Sequence, residues 1–99
     1  MKDYRFSDNK DKKRYELDLE DGQVAFIEYI NMPNGVIIFT HTDVPYEHEN
    51  QGIGSQIAAK ALEDVQKRDM KVIPQCGFIA TYIRRHPEWR KIVATHENL

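Results

Sequence analysis

The sequence predicts an α/β (α+β) fold, with helices packed on a mixed, mainly antiparallel sheet. Two observations carry that prediction: the hydrophobic period changes from two to 3.6 after Thr42, and a short β-branched run then separates two helical patterns. Between Arg14 and Ile30, Tyr15, Leu17 and Leu19 and then Val24 and Phe26 alternate with polar residues, with Asp21-Gly22 between them. That pattern reads as a hairpin, because Asp-Gly supplies the positive φ angles of a tight turn. A second turn at Asn31-Met32-Pro33-Asn34-Gly35 leads into Val36 to Thr42, which completes a three-stranded meander. Tyr4-Arg5-Phe6 offers a short edge strand, and the charged run Asn9 to Lys13 reads as a solvated loop.

Past the meander, Ile53, Ile57, Ala58, Ala61, Leu62 and Val65 form one apolar stripe. Gln56, Lys60, Glu63, Asp64 and Lys67 face away from it, so an amphipathic helix follows. Lys71-Val72-Ile73-Pro74 reads as a strand, and Phe78, Ile79, Tyr82 and Ile83 as a second helix that ends before Pro87. Because a strand that follows a helix usually returns beside the strand before it, the Val36 and Val72 strands are expected to lie parallel.

A chain of 99 residues without internal repeats or Pro/Ser-rich linkers is expected to form one domain. Fourteen Lys and Arg against sixteen Asp and Glu give a net charge of -2, which provides no global cationic field for nucleic acid. The longest apolar run, Val36 to Phe39, is too short to cross a bilayer, so no membrane partner is expected. The single cysteine, Cys76, has no internal disulfide partner, and Met1 to Arg5 lack the apolar stretch of a signal peptide. A cytoplasmic, reducing location is expected.

The chemistry concentrates at Gln51-Gly52-Ile53-Gly54-Ser55, two glycines at the first turn of the long helix. First-turn amides lack intrahelical partners and carry the positive end of the helix dipole, so such a loop can hold a phosphate or diphosphate. A glycine-lubricated helix entry is the plainer reading of the same spacing. A dinucleotide fingerprint is excluded by Ile57 where a third small residue belongs, and a nucleotide-triphosphate loop by Ser55-Gln56 in place of Lys-Ser/Thr.

This loop resembles the Gln/Arg-x-x-Gly-x-Gly/Ala motif of the GNAT superfamily of acyl-CoA-dependent N-acetyltransferases, here as Glu49-Asn50-Gln51-Gly52-Ile53-Gly54. Thr40-His41-Thr42-Asp43-Val44-Pro45 and Cys76-Gly77-Phe78 through Tyr82-Ile83-Arg84-Arg85-His86-Pro87 extend the resemblance over nearly the whole chain. It is similar to the small, single-domain branch of that superfamily. The resemblance implies acetyl-CoA as cosubstrate, an amine as acceptor, and cofactor contacts at Val44, Gln51, Gly52, Ile53, Gly54, Ser55, Arg84 and Arg85. The chain departs from the family pattern at Glu49, where a carboxylate replaces Gln or Arg, and before Tyr15, where the acceptor-pocket helices of larger members have no room.

Candidate catalytic groups follow. Cys76 sits between a strand and a helix N-terminus, where dipole and amides lower a thiol pKa; otherwise it is a small core residue. It is a candidate to accept the acetyl group or to relay a proton. His41, at the end of the Val36 strand, is a candidate base or relay, or else a strand-end histidine. Tyr82 matches the region where the family's tyrosines protonate the leaving thiolate, but a core tyrosine fits its spacing equally. Arg84, Arg85, Arg90 and Lys91 around Trp89 form a basic patch that reads as a solvated face or as a contact for cofactor phosphates. His48-Glu49-Asn50-Gln51-Gly52 begins like His-Glu-x-x-His but lacks the second histidine, so no metal is expected. The alternative function is a noncatalytic acyl-CoA-binding or protein-interaction module.

Overall fold

The computed structural model describes residues 2–98. Its strands are β1 (Arg5–Asn9), β2 (Arg14–Asp18), β3 (Val24–Met32), β4 (Val36–Asp43) and β5 (Lys71–Pro74). Two α-helices, α1 (Ile53–Lys67) and α2 (Gly77–Arg85), alternate with β5, and a 3-10 segment follows at Pro87–Ile92. The strands lie in the order β1-β2-β3-β4-β5 in one sheet, antiparallel from β1 to β4. β5 runs parallel to β4, with Val36 opposite Lys71 and Ile38 opposite Ile73. The α+β class and the parallel β4–β5 pair thus agree with the sequence reading.

α1 buries the stripe its sequence displays: Ile53, Ile57, Ala58, Ala61, Leu62 and Val65 all lie in the core. They meet Tyr15, Leu17, Ala25, Ile27, Tyr29, Ile37 and Phe39 of the sheet, and α2 adds Ile79 and Ile83 to the same layer. Of the polar face, Asp64 reaches back to the sheet and accepts a hydrogen bond from the Tyr15 hydroxyl at 2.7 Å.

The hairpin differs from expectation in its turn and in its faces. Leu19 N donates to Gln23 O at 3.0 Å, and the positive φ angles fall at Glu20 (71°) and Gly22 (87°), not at Asp21. With that wider loop, Leu17 pairs with Ala25 and Tyr15 with Ile27. Directly opposed residues share a face, so Ala25, Ile27 and Tyr29 enter the core while Val24 and Phe26 turn to the other side. β1 also runs further than Phe6. Its ladder with β2 continues to Asn9, which the sequence reading assigned to the charged loop, and the Asn9 amide donates to Glu16 at 3.1 Å.

One irregularity positions the site. Glu28 faces His41 and Tyr29 faces Phe39, so Thr40 is the extra residue of a β-bulge, and its hydroxyl donates to Glu28 O at 3.2 Å. Beyond the bulge the alternation of β4 is reversed. Thr42, opposite Ile27, lies on the helix side of the sheet, and His41 lies on the far side with its ring 6.1 Å from that of Phe26.

Candidate active site

A cleft of about 470 Å³ opens where the end of β4, the loop before α1 and the first turns of α1 and α2 converge. β4 and its continuation contribute Thr42, Asp43 and Val44; the loop contributes His48, Glu49 and Asn50. Gly52, Ile53, Gly54 and Ser55 line it from α1, and Phe78 from α2. Asn50 (φ 64°) and Gly52 (φ 78°) adopt left-handed backbone, and Gly52 is the N-cap of α1 without a side-chain cap. The helical ladder starts with Gln56 N donating to Gly52 O at 3.0 Å. The N–H groups of Ile53, Gly54 and Ser55 therefore have no intrahelical acceptor and meet the cleft at the positive end of the helix dipole.

Gly54 is explained by a neighbour inside the protein. A Cβ at this position would lie 2.6 Å from Phe78 Cζ and 3.2 and 3.3 Å from the adjacent ring carbons. The Phe78 ring occupies the space that a side chain at 54 would need, although 44% of the residue is exposed. Unlike the buried Ile79 and Ile83 of the same helix, the ring stands between the two helix N-termini.

Cys76 is the N-cap of α2, and its N–H donates to Phe39 O at 2.9 Å. Its Sγ lies 3.3 Å from Thr42 Oγ1, which connects it to the cleft wall. Burial opposes ionisation of the thiol. The Thr42 hydroxyl and the backbone amides of Ile79, Phe78 and Thr42 outweigh it and hold the pKa below the ordinary thiol value. Thr42 was not singled out in the sequence, since only the bulge at Thr40 turns it toward Cys76.

The other candidates separate. His41 lies across the sheet from Cys76, and Gln51 is exposed beside the cleft without lining it. Tyr82 is half-buried and stacks on His86 with ring centroids 4.1 Å apart. Burial, followed by Glu88 and Glu63, raises its hydroxyl pKa. Arg84 and Arg85 belong to the last turn of α2, whereas the cleft is met by the first, and Arg84 donates to Thr81 Oγ1 at 2.9 Å. Val44 and residues 52–55 do come together. His48, considered in the sequence only as a metal ligand, lines the cleft and bonds Asp21 of the β2–β3 turn through Nε2 at 2.7 Å. No Lys or Arg appears among the described residues that line the cleft, and Asp43 and Glu49 bring two carboxylates to it. Among the described residues no group of three or more His, Cys, Asp or Glu is arranged to hold a metal ion, and no helix is long and apolar enough to cross a membrane.

The family model for GCN5-related N-acetyl-transferases matches residues 14–92, from the first residue of β2 to the end of the 3-10 segment. The chain belongs to this family. The GCN5-related acetyltransferase fold is also that of a GCN5-like protein from Staphylococcus aureus solved in solution by NMR. That structure superposes with a TM-score of 0.70 over 97% of this chain and 95% of its own, at 21% identity. No curated protein sequence matches this member of the family.

Proposed function

We propose that the chain transfers acetyl from acetyl-CoA to the primary amine of a small molecule or protein, with Cys76 as the group that carries the acetyl. The observation that supports this most is the convergence of two helix N-termini on one cleft: amides of the first turn of α1 line it, and the thiol at the cap of α2 stands behind its wall, 3.3 Å from the lining residue Thr42. Left-handed backbone at Asn50 and Gly52 and the free amides after them suit a diphosphate. Acetyl-CoA supplies an acyl group already activated as a thioester.

The amides of Ile53, Gly54 and Ser55 hold the diphosphate, and the dipole of α1 favours its charge. Cys76 Sγ, whose ionisation Thr42 and the α2 amides favour, attacks the thioester carbonyl and expels the CoA thiolate, which takes up the proton; the neutral amine then attacks the acetyl-cysteine, forming the amide, releasing the Cys76 thiolate and giving up a proton to solvent. Thr42 Oγ1 holds the sulfur in place. His41, on the far face of the sheet, and Tyr82, stacked on His86, enter this reading without a chemical role, and Arg84 and Arg85 without a cofactor contact; Cys76 also stands outside the lining but contacts it through Thr42. A lone thiol in this role suits the reducing cytoplasm.

Calorimetric titration with acetyl-CoA, followed by amine-dependent multiple-turnover release of CoA, tests the reading. Mass spectrometry after incubation with acetyl-CoA alone is expected to find one acetyl group on Cys76. Binding without acetyl transfer to any amine would favour the noncatalytic acyl-CoA module, a reading supported by the carboxylates of Asp43 and Glu49 in the cleft.

A further inference from the structure

At the end of the molecule away from the cleft, a second hollow of about 340 Å³ lies between the β1–β2 turn, the end of β3 and the residue that follows α1. That volume falls within the range of small-ligand sites. Lys10, Lys13 and Arg68 bring three cations to its lining against the one carboxylate of Asp8, with Tyr29 and Asn31 beside them. The cleft has the opposite sign, since Asp43 and Glu49 line it without Lys or Arg among the described residues.

The floor and the rim of this hollow differ. Asp8, whose side chain is 12% exposed, accepts from the Tyr29 hydroxyl at 2.6 Å and from Arg68 Nη2 at 3.1 Å, so its charge is already engaged. Arg68 Nε reaches Asp64, which stands outside the lining, at 3.0 Å. The guanidinium is thus held at two points and keeps N–H groups to spare, so a ligand would meet a cation that needs little further ordering. On the rim, Lys10, Lys13 and Asn31 are exposed and make no side-chain hydrogen bond or ion pair among the described residues. The Lys13 carbonyl accepts from the Tyr29 N–H at 3.0 Å, which anchors that end of the turn beside the hollow.

Three cations against one carboxylate leave the lining with a surplus of positive charge close to the charge that a phosphate monoester carries with opposite sign at neutral pH. Just outside it the signs alternate: Asp11 with Lys12 on the turn, Asp64 with Lys67 on α1, and Asp69 with Lys71 beyond the helix. A tetrahedral phosphate accepts from several directions, and here the donors come from two positions of a turn and from the end of a helix. A planar carboxylate is served by one guanidinium fork alone.

We propose that this hollow binds a phosphate monoester group, which Lys10 and Lys13 engage from the turn while Arg68 is held ready between Asp8 and Asp64. The 15 residues of α1, about 22 Å of rise, separate it from the cleft, so it is distinct from the diphosphate subsite and does not depend on the acetyl-CoA reading.

The test is a 15N–1H titration of the whole chain without CoA. Inorganic phosphate, exchanged for chloride at constant ionic strength, should shift the backbone amides of Lys10, Lys13, Asn31 and Arg68 saturably. Lys10→Gln combined with Lys13→Gln should weaken that binding about tenfold, with the rest of the spectrum unchanged. Lys2→Gln combined with Arg5→Gln removes the same charge from the other end of the sheet and should change it less than about twofold. A single-stranded oligonucleotide that ends in a 5′-phosphate should give the same shifts if the site admits a phosphate carried on a polymer, and none if it takes small free esters; either result supports the proposal. An unphosphorylated strand should give none. No saturable shift, shifts confined to residues 53–55, equal weakening in both double variants, or equal response to the two strands would overturn the proposal and leave the acetyl-CoA reading standing.

Discussion

The two ends of α1 treat their polar groups in opposite ways. At the C-terminal end the polar groups that reach the sheet are paired. Tyr15 donates to Asp64 at 2.7 Å and Tyr29 to Asp8 at 2.6 Å, and Arg68 lies between the two carboxylates at 3.0 and 3.1 Å. Burial and then the paired carboxylate raise both tyrosine pKa values, so both hydroxyls stay protonated as donors. At the N-terminal end three amides lack intrahelical acceptors, His48 Nδ1 is orphaned, and two carboxylates line a cleft without Lys or Arg. A closed network ties β1, β2, β3 and α1 together. An incomplete one invites a ligand to finish it.

That contrast is open to test by substitutions that move one end and leave the other alone. The largest effect is expected from Cys76→Ala, which should lower acetyl transfer by at least about a hundredfold in single-turnover kinetics while changing the dissociation constant for CoA less than about twofold. Unchanged turnover would remove Cys76 from the chemistry. Arg68→Ala tests the opposite end. It leaves Asp8 and Asp64 facing each other across the gap, and denaturant unfolding should show a loss of about 1 to 3 kcal/mol with CoA affinity intact. A change in affinity would mean that the two ends communicate.

Thr42→Val is nearly isosteric and removes the hydroxyl that favours the ionised thiol. The Cys76 pKa should rise, so the acid limb of the pH–rate profile moves to higher pH, and the rate below that limb falls by up to about tenfold. An unmoved limb would detach the thiol from the rate. The smallest effect is expected from Glu49→Arg, which exchanges an exposed carboxylate for the side chain the family motif carries. CoA affinity should improve about two- to tenfold at low salt and less at high salt, by isothermal titration. No gain at either salt would mean that Glu49 points away from the phosphates.

Sequence spacing revealed the scaffold better than the site, for physical reasons. The six buried residues of α1 were all readable, because the period of 3.6 in that segment has no competing pattern. The parallel return of β5 beside β4 follows from connection rules alone. The side chains facing the cleft depend on events that spacing does not record. Counting by twos from Phe39 puts His41 on the helix side, and the bulge at Thr40 puts Thr42 there instead. The wide turn at Glu20 to Gly22 likewise decides that Ala25, and not Val24, is buried. The pairing of Asp21 with His48 joins two loops 27 residues apart, and no local pattern announces it.

The Phe78 ring over Gly54 works as a spacer between two tools held on separate handles. One handle, α1, carries first-turn amides without intrahelical acceptors; the other, α2, carries the thiol; one aromatic ring stands against Gly54 between them. A methyl group at position 54 would meet the ring at 2.6 Å, so even alanine there requires the Phe78 ring to shift. Under the proposed acetyl-CoA reading, position 54 thereby lies along the span that a bound molecule must cover from its phosphates to its reactive end. Enlarging residue 54 while shrinking residue 78 offers a way to alter that span while leaving the Cys76 thiol and Thr42 in place.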